Sequence, residues 1–412
     1  HCGFEHRRVL HQRGLDLEGR DVDAADLEHV VAAPAVGVAA VAVAHVFVAA
    51  LGPCTLEGLV MKPDFWRGRR VLVTGHTGFK GSWLAYWLKR LGAEVTGVSL
   101  PPVTDPNHWR LLSLDINSIE ADINNAQQMR SLLQQTKPEL VFHLAAQPLV
   151  RASYLAPADN WQTNVMGTVN VLEACRSISS VKAIVAVTTD KVYENNNKGV
   201  NFSEQDPLGG HDPYSASKAA CELVVQSYRR SFFEQQGILL ASARAGNVIG
   251  GGDWAEDRLI PDIVRASHAG SPLKIRYPEA VRPWQHVLDS LSGYLCLAQS
   301  LLLGQSDRAA AWNFGPDASE CATVEAVLRQ MQQHWPALSW QAESEPQPTE
   351  MSLLMLDSEQ AQHKLNWRPV WHFEQSALYT AQWYQSFYNH KLVITAAQLR
   401  QYCQDAKQQG LV

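Results

Sequence analysis

Apolar runs of strand length alternate with amphipathic segments between Arg69 and Gly246. The runs are largely apolar rather than apolar only at every second position, which is typical of parallel strands buried on both faces. The pattern predicts strands at 70–74, 94–100, 139–144, 183–188 and 238–244. Helical spacing predicts helices that end at Gly92 or cover 126–135, 160–177 and 213–236. This repeated order predicts an α/β fold with a doubly wound parallel sheet.

The chain changes in texture after Gly246, where Pro, Trp and Gly become frequent and loops separate the helices predicted at 285–303, 323–334 and 374–386. We expect a Rossmann-type dinucleotide-binding domain at 61–245 and a smaller C-terminal substrate-binding lobe at 246–412, interleaved with the first. A chain of 412 residues can bury one large core or two medium ones. The ligand site is expected in the cleft between these two parts.

Residues 1–60 differ in composition from the rest, since they contain no Lys, Ser, Asn, Ile, Tyr or Trp. The run at 30–51 has 22 residues without a formal charge, which is the length of a membrane span. Ala is a weak membrane residue, however, and Pro34 and His45 interrupt the run. We expect the functional chain to begin at Met61 and residues 1–60 to be an upstream extension. A membrane anchor and an accessory segment remain the alternatives.

Composition limits the classes of partner. A net charge of -6 argues against a general affinity for nucleic acid, so an anionic ligand would need a few local Arg or Lys residues. The seven Cys contain no C-x-x-C pair and the 15 His form no H-E-x-x-H, so we expect no metal site. Scattered Cys fit a reducing compartment, and we expect a cytoplasmic protein that does not associate with membranes.

Glycines at 75, 78 and 81 follow the first predicted strand and open the first helix. Such a loop brings a pyrophosphate to the helix N-terminus, where backbone N–H groups and the helix dipole favour an anion, and it predicts a bound dinucleotide. Ser99 stands at the end of the second strand, where an acid usually takes the ribose hydroxyls, so these residues leave NAD and NADP both open. Asp122 and Ile123 are candidates to bracket the adenine, with a solvated loop acid as the alternative for Asp122.

Two stretches carry residues suited to proton transfer, TTDKVY at 188–193 and YSASK at 214–218. The first follows a buried strand, so we expect its hydroxyls and its carboxylate to enter a cleft. The second opens a helix, for which Asp212 is a suitable N-cap. Tyr214 and Lys218 would lie one turn apart on the same face, where the ammonium favours the phenolate and makes the tyrosine a base.

Four ordered motifs resemble those of the extended short-chain dehydrogenase/reductase superfamily: TGHTGFKG, HLAAQP, TTDKVY and YSASK. Thr-Asp followed by an acid marks the nucleotide-sugar 4,6-dehydratases of that superfamily, and here Lys191 replaces the acid. The Asp-Lys pair, together with the segments at 246–262 and 282–294, resembles the branch that acts on CDP-glucose. The resemblance extends from Met61 to about Arg368, and residues 1–60 have no counterpart in it.

The resemblance implies an NAD-dependent hydro-lyase that converts CDP-glucose to CDP-4-keto-6-deoxyglucose. The sugar would be oxidised at C4, lose water across C5 and C6, and be reduced at C6. Tyr214 would take the 4-OH proton, Thr189 and Lys218 would support it, and Asp190 would protonate the departing hydroxyl. Lys191 is either the base at C5 or an electrostatic group that positions Asp190. The implied cofactor contacts are Gly75, Thr77, Gly78, Phe79, Gly81, Ser99, Asp122, Ile123, Ala145, Ala146, Tyr214 and Lys218.

The substrate pyrophosphate requires cations, for which Arg258 and Arg282 are candidates, with Asn247 as a donor near the sugar or phosphate. A structural salt bridge is the alternative role of each arginine. A dTDP- or GDP-sugar dehydratase, a nucleotide-sugar 4-epimerase and a non-catalytic NAD-binding scaffold also remain open. The resemblance further implies a homodimer or higher homo-oligomer through helices near 160–177 and 213–236, and a role in deoxysugar biosynthesis for lipopolysaccharide O-antigen.

Overall fold

The computed structural model describes residues 63–195, 201–342 and 354–411. The extension predicted at 1–60 and the start predicted at Met61 lie outside the described residues. The strands in chain order are β1 (Arg70–Thr74), β2 (Glu94–Ser99), β3 (Asn117–Glu120), β4 (Leu140–His143), β5 (Ala183–Val187), β6 (Asn201–Phe202), β7 (Leu239–Ala245), β8 (Val248–Ile249), β9 (Leu273–Ile275), β10 (Val281–Arg282), β11 (Gln285–His286), β12 (Ala311–Phe314), β13 (Ala322–Thr323), β14 (Trp340–Ala342) and β15 (Met355–Leu356).

Seven of these strands form one parallel sheet in the order β12-β7-β5-β4-β1-β2-β3. The chain leaves β1 toward β2 and β3 on one side and returns to β4 on the other. A topological switch point therefore lies between β1 and β4, which is where open α/β sheets bind ligands. The predicted doubly wound parallel sheet is confirmed.

The helices in chain order are α1 (Pro63–Trp66), α2 (Phe79–Arg90), α3 (His108–Leu112), α4 (Ala126–Thr136), α5 (Val150–Leu155), α6 (Pro157–Trp161), α7 (Gly167–Arg176), α8 (Pro213–Tyr228), α9 (Glu234–Gln236), α10 (Leu259–Ala269), α11 (Val287–Leu302), α12 (Val324–His334), α13 (Glu359–Leu365), α14 (Phe373–His390) and α15 (Thr395–Gln408). π-helical turns at Gln162–Met166 and Arg229–Phe233 join α6 to α7 and α8 to α9. Single 3₁₀ turns lie at Asp190–Val192, Ser306–Arg308 and Ala318–Glu320.

Successive side chains of each sheet strand enter two separate cores, because strand side chains alternate between faces. Val185 of β5 packs in the core that contains the large side chains of α2 and α11, such as Trp83 and Leu291. Its neighbour Ile184 packs in the opposite core, with residues of α4, α7 and α8 such as Leu133. Burial on both faces is the physical reason that these strands are largely apolar.

The five predicted strands are confirmed to within one residue at each end, and the helices predicted in the first half match α2, α4, α6 to α7 and α8 to α9. Two sheet strands were not predicted. β3 has three exposed residues among its four, so it lacks an apolar signal, and it forms one edge of the sheet. β12 forms the other edge and comes from the range assigned to the substrate lobe.

Short strand pairs and helices make up most of the chain after β7. β8 pairs with β11, β9 with β14, β10 with β13 and β6 with β15. The helices predicted at 285–303, 323–334 and 374–386 correspond to α11, α12 and α14. α10, α13 and α15 were not predicted. None of the helices in the described part of the chain is long and apolar enough to cross a membrane.

Candidate active site

A cavity of about 1570 Å³ opens at the carboxyl ends of the sheet strands. Its lining includes the segments that follow β1, β2, β4, β5 and β7, together with the N-terminal parts of α8 and α10. Every site residue predicted from the sequence lines this cavity: Gly75, Thr77, Gly78, Phe79, Gly81, Ser99, Asp122, Ile123, Ala145, Ala146, Thr189, Asp190, Lys191, Tyr214, Lys218, Asn247, Arg258 and Arg282. The fold therefore collects segments far apart in sequence at the switch point of the sheet.

The glycine loop between β1 and α2 is a backbone cradle. Gly75 has φ +77°, and a Cβ there would lie 2.8 Å from the Ala145 nitrogen. A Cβ at Gly81 would lie 2.0 Å from the Gly75 carbonyl oxygen, so neither position accepts a side chain in this conformation. Gly78 is the N-cap of α2 and supplies no side-chain cap to the first turn. The helix N-terminus is thus open to an anion such as a pyrophosphate.

Short side chains continue the surface beside the glycine loop. The Thr77 and Ser99 hydroxyls lie 2.7 Å apart, so the residue at the end of β2 is bound to the loop itself. Asp122 accepts a hydrogen bond from the Asn124 nitrogen at 2.9 Å, and Ile123 beside it is buried. We call residues 75–81, Ser99, Asp122, Ile123, Ala145 and Ala146 the cofactor wall. Backbone and short side chains make it a fit for a flat dinucleotide.

The segment after β5 turns sharply and brings three polar side chains together. Thr189 is the N-cap of the Asp190–Val192 turn and accepts from the Lys191 nitrogen at 3.4 Å. Its hydroxyl donates to Asp190 Oδ1 at 3.0 Å and also hydrogen-bonds with the phenol of Tyr214. Thr189 therefore links the tyrosine to the carboxyl group within one cluster.

Tyr214 and Lys218 lie in the first half of α8, which begins as the sequence indicates. Asp212 caps the helix by accepting from the Ser215 nitrogen at 2.9 Å. Burial raises the pKa of Tyr214 to about 12, although the Thr189 hydrogen bond and the Arg258 charge oppose this effect. Lys218 Nζ donates to the Val187 carbonyl at 3.2 Å, and burial lowers the pKa of this lysine. The expected lowering of the Tyr214 pKa is not found, because desolvation of the phenolate outweighs the nearby cations.

Asp190 is the most deeply enclosed acid of the cluster. It is 2% exposed, and its Oδ2 has no hydrogen-bond partner among the described residues. A Cβ at Gly246 would lie 2.9 Å from this oxygen, so the glycine after β7 provides the space for the carboxyl group. Burial raises the pKa of Asp190, against the charges of Lys191, Arg282 and Lys80 and the Thr189 hydrogen bond. The environment favours the protonated form that a general acid requires.

The cations predicted for substrate binding line the same cavity as the glycine loop. Arg258, the N-cap residue of α10, forms a salt bridge with Asp253 at 3.0 Å. Its charge also interacts with the phenol of Tyr214. Arg282 in β10 is buried, donates to the Val281 carbonyl at 2.9 Å and acts on Asp190. Asn247 lies half-buried between β7 and β8. We call Thr189, Asp190, Lys191, Tyr214, Lys218, Asn247, Arg258 and Arg282 the catalytic wall.

Lys80 is a residue of this site that the sequence did not single out. It is the second residue of α2, directly inside the glycine loop, and its Nζ lies 3.4 Å from the Tyr294 hydroxyl. Burial lowers the pKa of Lys80 to about 7, with Arg258 and Lys218 adding to the effect and Asp190 opposing it. A charged residue at an inward-facing position of an amphipathic helix was the available signal.

Comparison with known proteins places this chain among enzymes of nucleotide sugars. The family model described as GDP-mannose 4,6 dehydratase matches residues 72–378. CDP-glucose 4,6-dehydratase of Salmonella typhimurium is 45% identical over 332 residues, covering 79% of this chain and 92% of the relative.

Solved structures of similar fold include dTDP-glucose 4,6-dehydratase of Bacillus anthracis in complex with NAD. It is 22% identical with a TM-score of 0.66, and the match covers 78% of this chain and 98% of that one. MoeE5 in complex with UDP-glucuronic acid and NAD is 25% identical with a TM-score of 0.65, over 78% of this chain and 99% of that one.

Proposed function

The chain belongs to the nucleotide-sugar 4,6-dehydratase family of the extended short-chain dehydrogenases/reductases, and we propose on that premise that it converts CDP-glucose to CDP-4-keto-6-deoxyglucose and water. The substrate follows from the 45% identity with the Salmonella typhimurium CDP-glucose 4,6-dehydratase, most of whose length is covered. The single structural observation that carries the reaction type is the buried Asp190 carboxyl joined through Thr189 to Tyr214. A dehydratase needs such an acid for the departing hydroxyl, whereas a 4-epimerase does not.

NAD is the cofactor of this reaction, and the cofactor wall fits it because the cradle at Gly75 and Gly81 leaves no room for a Cβ. Bound NAD supplies the hydride acceptor for the oxidation at C4 and the hydride donor for the reduction at C6. Gly75, Gly78 and Gly81 would hold its pyrophosphate at the N-terminus of α2. The remaining contacts that we assign to it are Thr77, Phe79, Ser99, Asp122, Ile123, Ala145, Ala146, Tyr214 and Lys218.

Tyr214 is the base for the 4-OH in this proposal. A phenolate whose pKa is raised to about 12 by burial is a strong base once formed, and the Thr189 hydrogen bond and the Arg258 charge offset part of the cost of forming it. Thr189 would hydrogen-bond the same sugar oxygen. Lys218 would position the nicotinamide ribose from the next turn of α8.

Asp190 and Lys191 divide the dehydration between them. Once C4 is a ketone, the C5 proton is acidic, and Lys191 would take it while Asp190 gives its proton to the leaving 6-OH. Asp190 is suited to this role because burial raises its pKa. Lys191 is half-buried on the cavity and acts electrostatically on Asp190, which places it within the same cluster. If Lys191 only positions Asp190, Lys191→Ala will leave exchange of the C5 proton with solvent intact.

Arg258, Arg282 and Asn247 would bind the substrate pyrophosphate and the adjoining sugar. Both arginines line the cavity, and guanidinium groups match phosphate oxygens through paired hydrogen bonds. Arg258 is also paired with Asp253, so its structural and binding roles are compatible.

We further infer a homodimer, a cytoplasmic location and a role in deoxysugar biosynthesis for lipopolysaccharide O-antigen. Large apolar side chains are exposed on the helices proposed for self-association: Trp161, Met166, Leu223 and Phe232. An apolar face of this kind suits a contact between copies of the chain. Light scattering that gives a monomer mass at assay concentration would overturn the dimer.

The proposal is tested by incubating the full chain with NAD and, separately, CDP-, dTDP-, GDP- and UDP-glucose, and by following the masses of the sugar nucleotides. We expect CDP-glucose to lose one water and the others to react far more slowly. Faster dehydration of dTDP- or GDP-glucose would mean that CDP is not the nucleotide of the substrate. Isomerisation without a change in mass would establish the epimerase alternative, and no reaction with any of the four would favour the scaffold.

A further inference from the structure

A buried carboxylate contacts residues 188–193, which we call the catalytic segment, and takes no part in the proposed steps. Glu222 is in α8, one turn after Lys218 and two turns after Tyr214, and is 4% exposed. Its Oε1 accepts from the Thr188 hydroxyl at 2.5 Å. Thr188 directly precedes Thr189 and Asp190, so this bond ties the catalytic segment to the helix that bears Tyr214.

The other oxygen of Glu222 is held from β7. Oε2 accepts from the Ser242 hydroxyl at 2.7 Å and from Arg244 Nη2 at 2.7 Å. Ser242 and Arg244 are two residues apart and therefore lie on the same face of the strand, toward α8. The carboxylate thus joins α8, β7 and the end of β5.

The same ion pair also holds the far end of the catalytic segment. Arg244 Nη1 donates to the Tyr193 hydroxyl at 2.8 Å, and that hydroxyl donates to Asn313 Oδ1 at 2.6 Å. Thr188 and Tyr193 bracket the turn that carries Asp190. One buried Glu222–Arg244 pair therefore fixes both ends of that turn against the sheet and α8.

Glu222 also acts on the charge of Lys218. Burial lowers the pKa of Lys218, and Cys221 and Glu222 oppose this from the same helix, while His143 and Lys80 face the lysine from β4 and α2. Burial raises the pKa of Cys221, so this thiol is uncharged at neutral pH. Burial raises the pKa of Glu222 as well, but Arg244 and the Thr188 and Ser242 hydroxyls outweigh it and keep the group ionised. Arg229 adds a further positive charge close to Glu222.

We propose that Glu222 is a positioning residue for the proton-transfer steps: it orients Thr189 and Asp190 through Thr188 and maintains the ammonium of Lys218. This inference rests on the proposed function. It links Tyr214 and Lys218, which act in the oxidation at C4, to Asp190, the acid of the dehydration. Its two parts have separate tests.

The positioning part is tested with Thr188→Val, which has nearly the same shape but lacks the hydroxyl, beside Ser242→Ala. Both remove one neutral donor from the same buried carboxylate, but only Thr188 precedes the catalytic residues. We expect kcat for CDP-glucose to fall about tenfold or more in Thr188→Val, with KM little changed, because the hydrogen bond that holds the segment bearing Thr189 and Asp190 against α8 is lost. Ser242→Ala should stay within about twofold, and Thr188→Ser should restore most of the loss. Equal losses in Thr188→Val and Ser242→Ala would mean that the carboxylate is only structural.

The charge part is tested by the alkaline limb of the pH profile. Glu222→Gln leaves Arg244 uncompensated and should move the limb to lower pH by about one unit, because Lys218 loses its proton more easily. Arg244→Gln leaves the carboxylate uncompensated and should move the limb to higher pH, and the double variant should lie between them. A structural role would lower activity in both variants without moving the limb in opposite directions, and that result would overturn the proposal.

The affinity for NAD, measured across the same pH range, separates failure of this inference from failure of the proposed function. The proposed function assigns Lys218 to the nicotinamide ribose, so the opposite shifts of the two variants should also appear in NAD binding. If the wild-type chain binds NAD but does not dehydrate CDP-glucose, the function is wrong while the shifts still decide the role of Glu222. If the charged-pair variants do not fold, Thr188→Val, Thr188→Ser and Ser242→Ala decide it alone.

Discussion

The cofactor wall and the catalytic wall line one cavity but are built by different means. The cofactor wall is centred on the glycine loop between β1 and α2, to which the segments after β2, β3 and β4 add residues. The catalytic wall consists of polar side chains, most of them charged or titratable, from the segments after β5 and β7 and from α8, α10 and β10. How closely a ligand can approach the backbone decides what the cofactor wall can bind. On the catalytic wall, the balance of burial and charge decides which protonation states are available.

The two walls should therefore be sensitive to different kinds of substitution. An added methyl group should damage the cofactor wall, where a Cβ would collide with the backbone. An isosteric change of charge should damage the catalytic wall, where burial raises the pKa of Asp190 and Tyr214 and lowers that of Lys218.

The largest expected effect is that of Asp190→Asn, which keeps the shape of the side chain and removes the acid. We expect kcat for dehydration to fall about 10³-fold, in the range of general acid catalysis, while oxidation at C4 continues and reduced cofactor accumulates. Single-turnover absorbance of the reduced cofactor, with product masses, measures both steps. The matched control is Asp212→Asn, since Asn caps a helix as well as Asp does, and it should change kcat by less than about threefold. A fall in kcat of less than about tenfold in Asp190→Asn would mean that Asp190 is not the general acid.

Gly81→Ala should have the next largest effect, and on cofactor affinity rather than on chemistry. Its Cβ would lie 2.0 Å from the Gly75 oxygen, so the loop must open, and we expect the Kd for NAD to rise about 100-fold. Gly78→Ala is the control on the same loop, because its Cβ would lie 3.3 Å from that oxygen and a small shift suffices. Calorimetric titration with NAD measures both. Similar Kd values for the two variants would contradict the cradle.

Arg282→Ala should have a smaller effect that falls on substrate binding. Loss of the buried guanidinium that we propose to bind phosphate should raise KM for CDP-glucose by about 10- to 100-fold and change kcat little. Arg151 is a suitable control, since it lines the same cavity but its side chain is 57% exposed and pairs with Asp257. Exposed ion pairs contribute little, so Arg151→Ala should change KM by about twofold or less. An unchanged KM in Arg282→Ala would leave Arg282 a structural residue.

Lys80→Met should give the smallest effect. Lys80 belongs to the glycine loop in sequence, but its charge interacts with charges of the catalytic wall, so this variant tests both walls at once. Burial lowers its pKa from 10.5 to about 7, so between these values the unfolded chain binds more protons than the folded one. The destabilisation by Lys80 is therefore complete below about pH 7 and declines as pH rises toward 10.5. We expect Lys80→Met to raise the free energy of unfolding by on the order of 1–2 kcal/mol near pH 6 and by less near pH 9, measured by urea titration. An equal gain at both values would contradict the buried charge.

Most of the sheet and the cofactor wall could be predicted because their signals are local. The apolar run before Gly75, the glycine spacing and the following amphipathic helix all lie within one short stretch. β3 escaped prediction because its edge position leaves its residues exposed and therefore polar. β12 was missed because it is short and Asn313 interrupts its apolar run.

The catalytic residues could be named from motifs, but their electrostatic environment could not. The sequence predicted that Lys218 would lower the pKa of Tyr214, whereas enclosure of the phenol raises it to about 12. Depth of burial is set by the packing of distant segments, such as Gly246 against Asp190. The same reason hid Lys80 and Glu222, whose partners Tyr294 and Arg244 lie on other elements.

The central claim is that a single site oxidises C4, removes water and reduces C6 of the same sugar. The most direct test is to supply the full chain with NAD and CDP-glucose that carries deuterium at C4, and to locate the label in the product by NMR. The account predicts a 6-deoxy product with the deuterium at C6 and the 4-position oxidised. Deuterium that remains at C4 of an isomerised hexose, or that is absent from C6 of a dehydrated product, would contradict it.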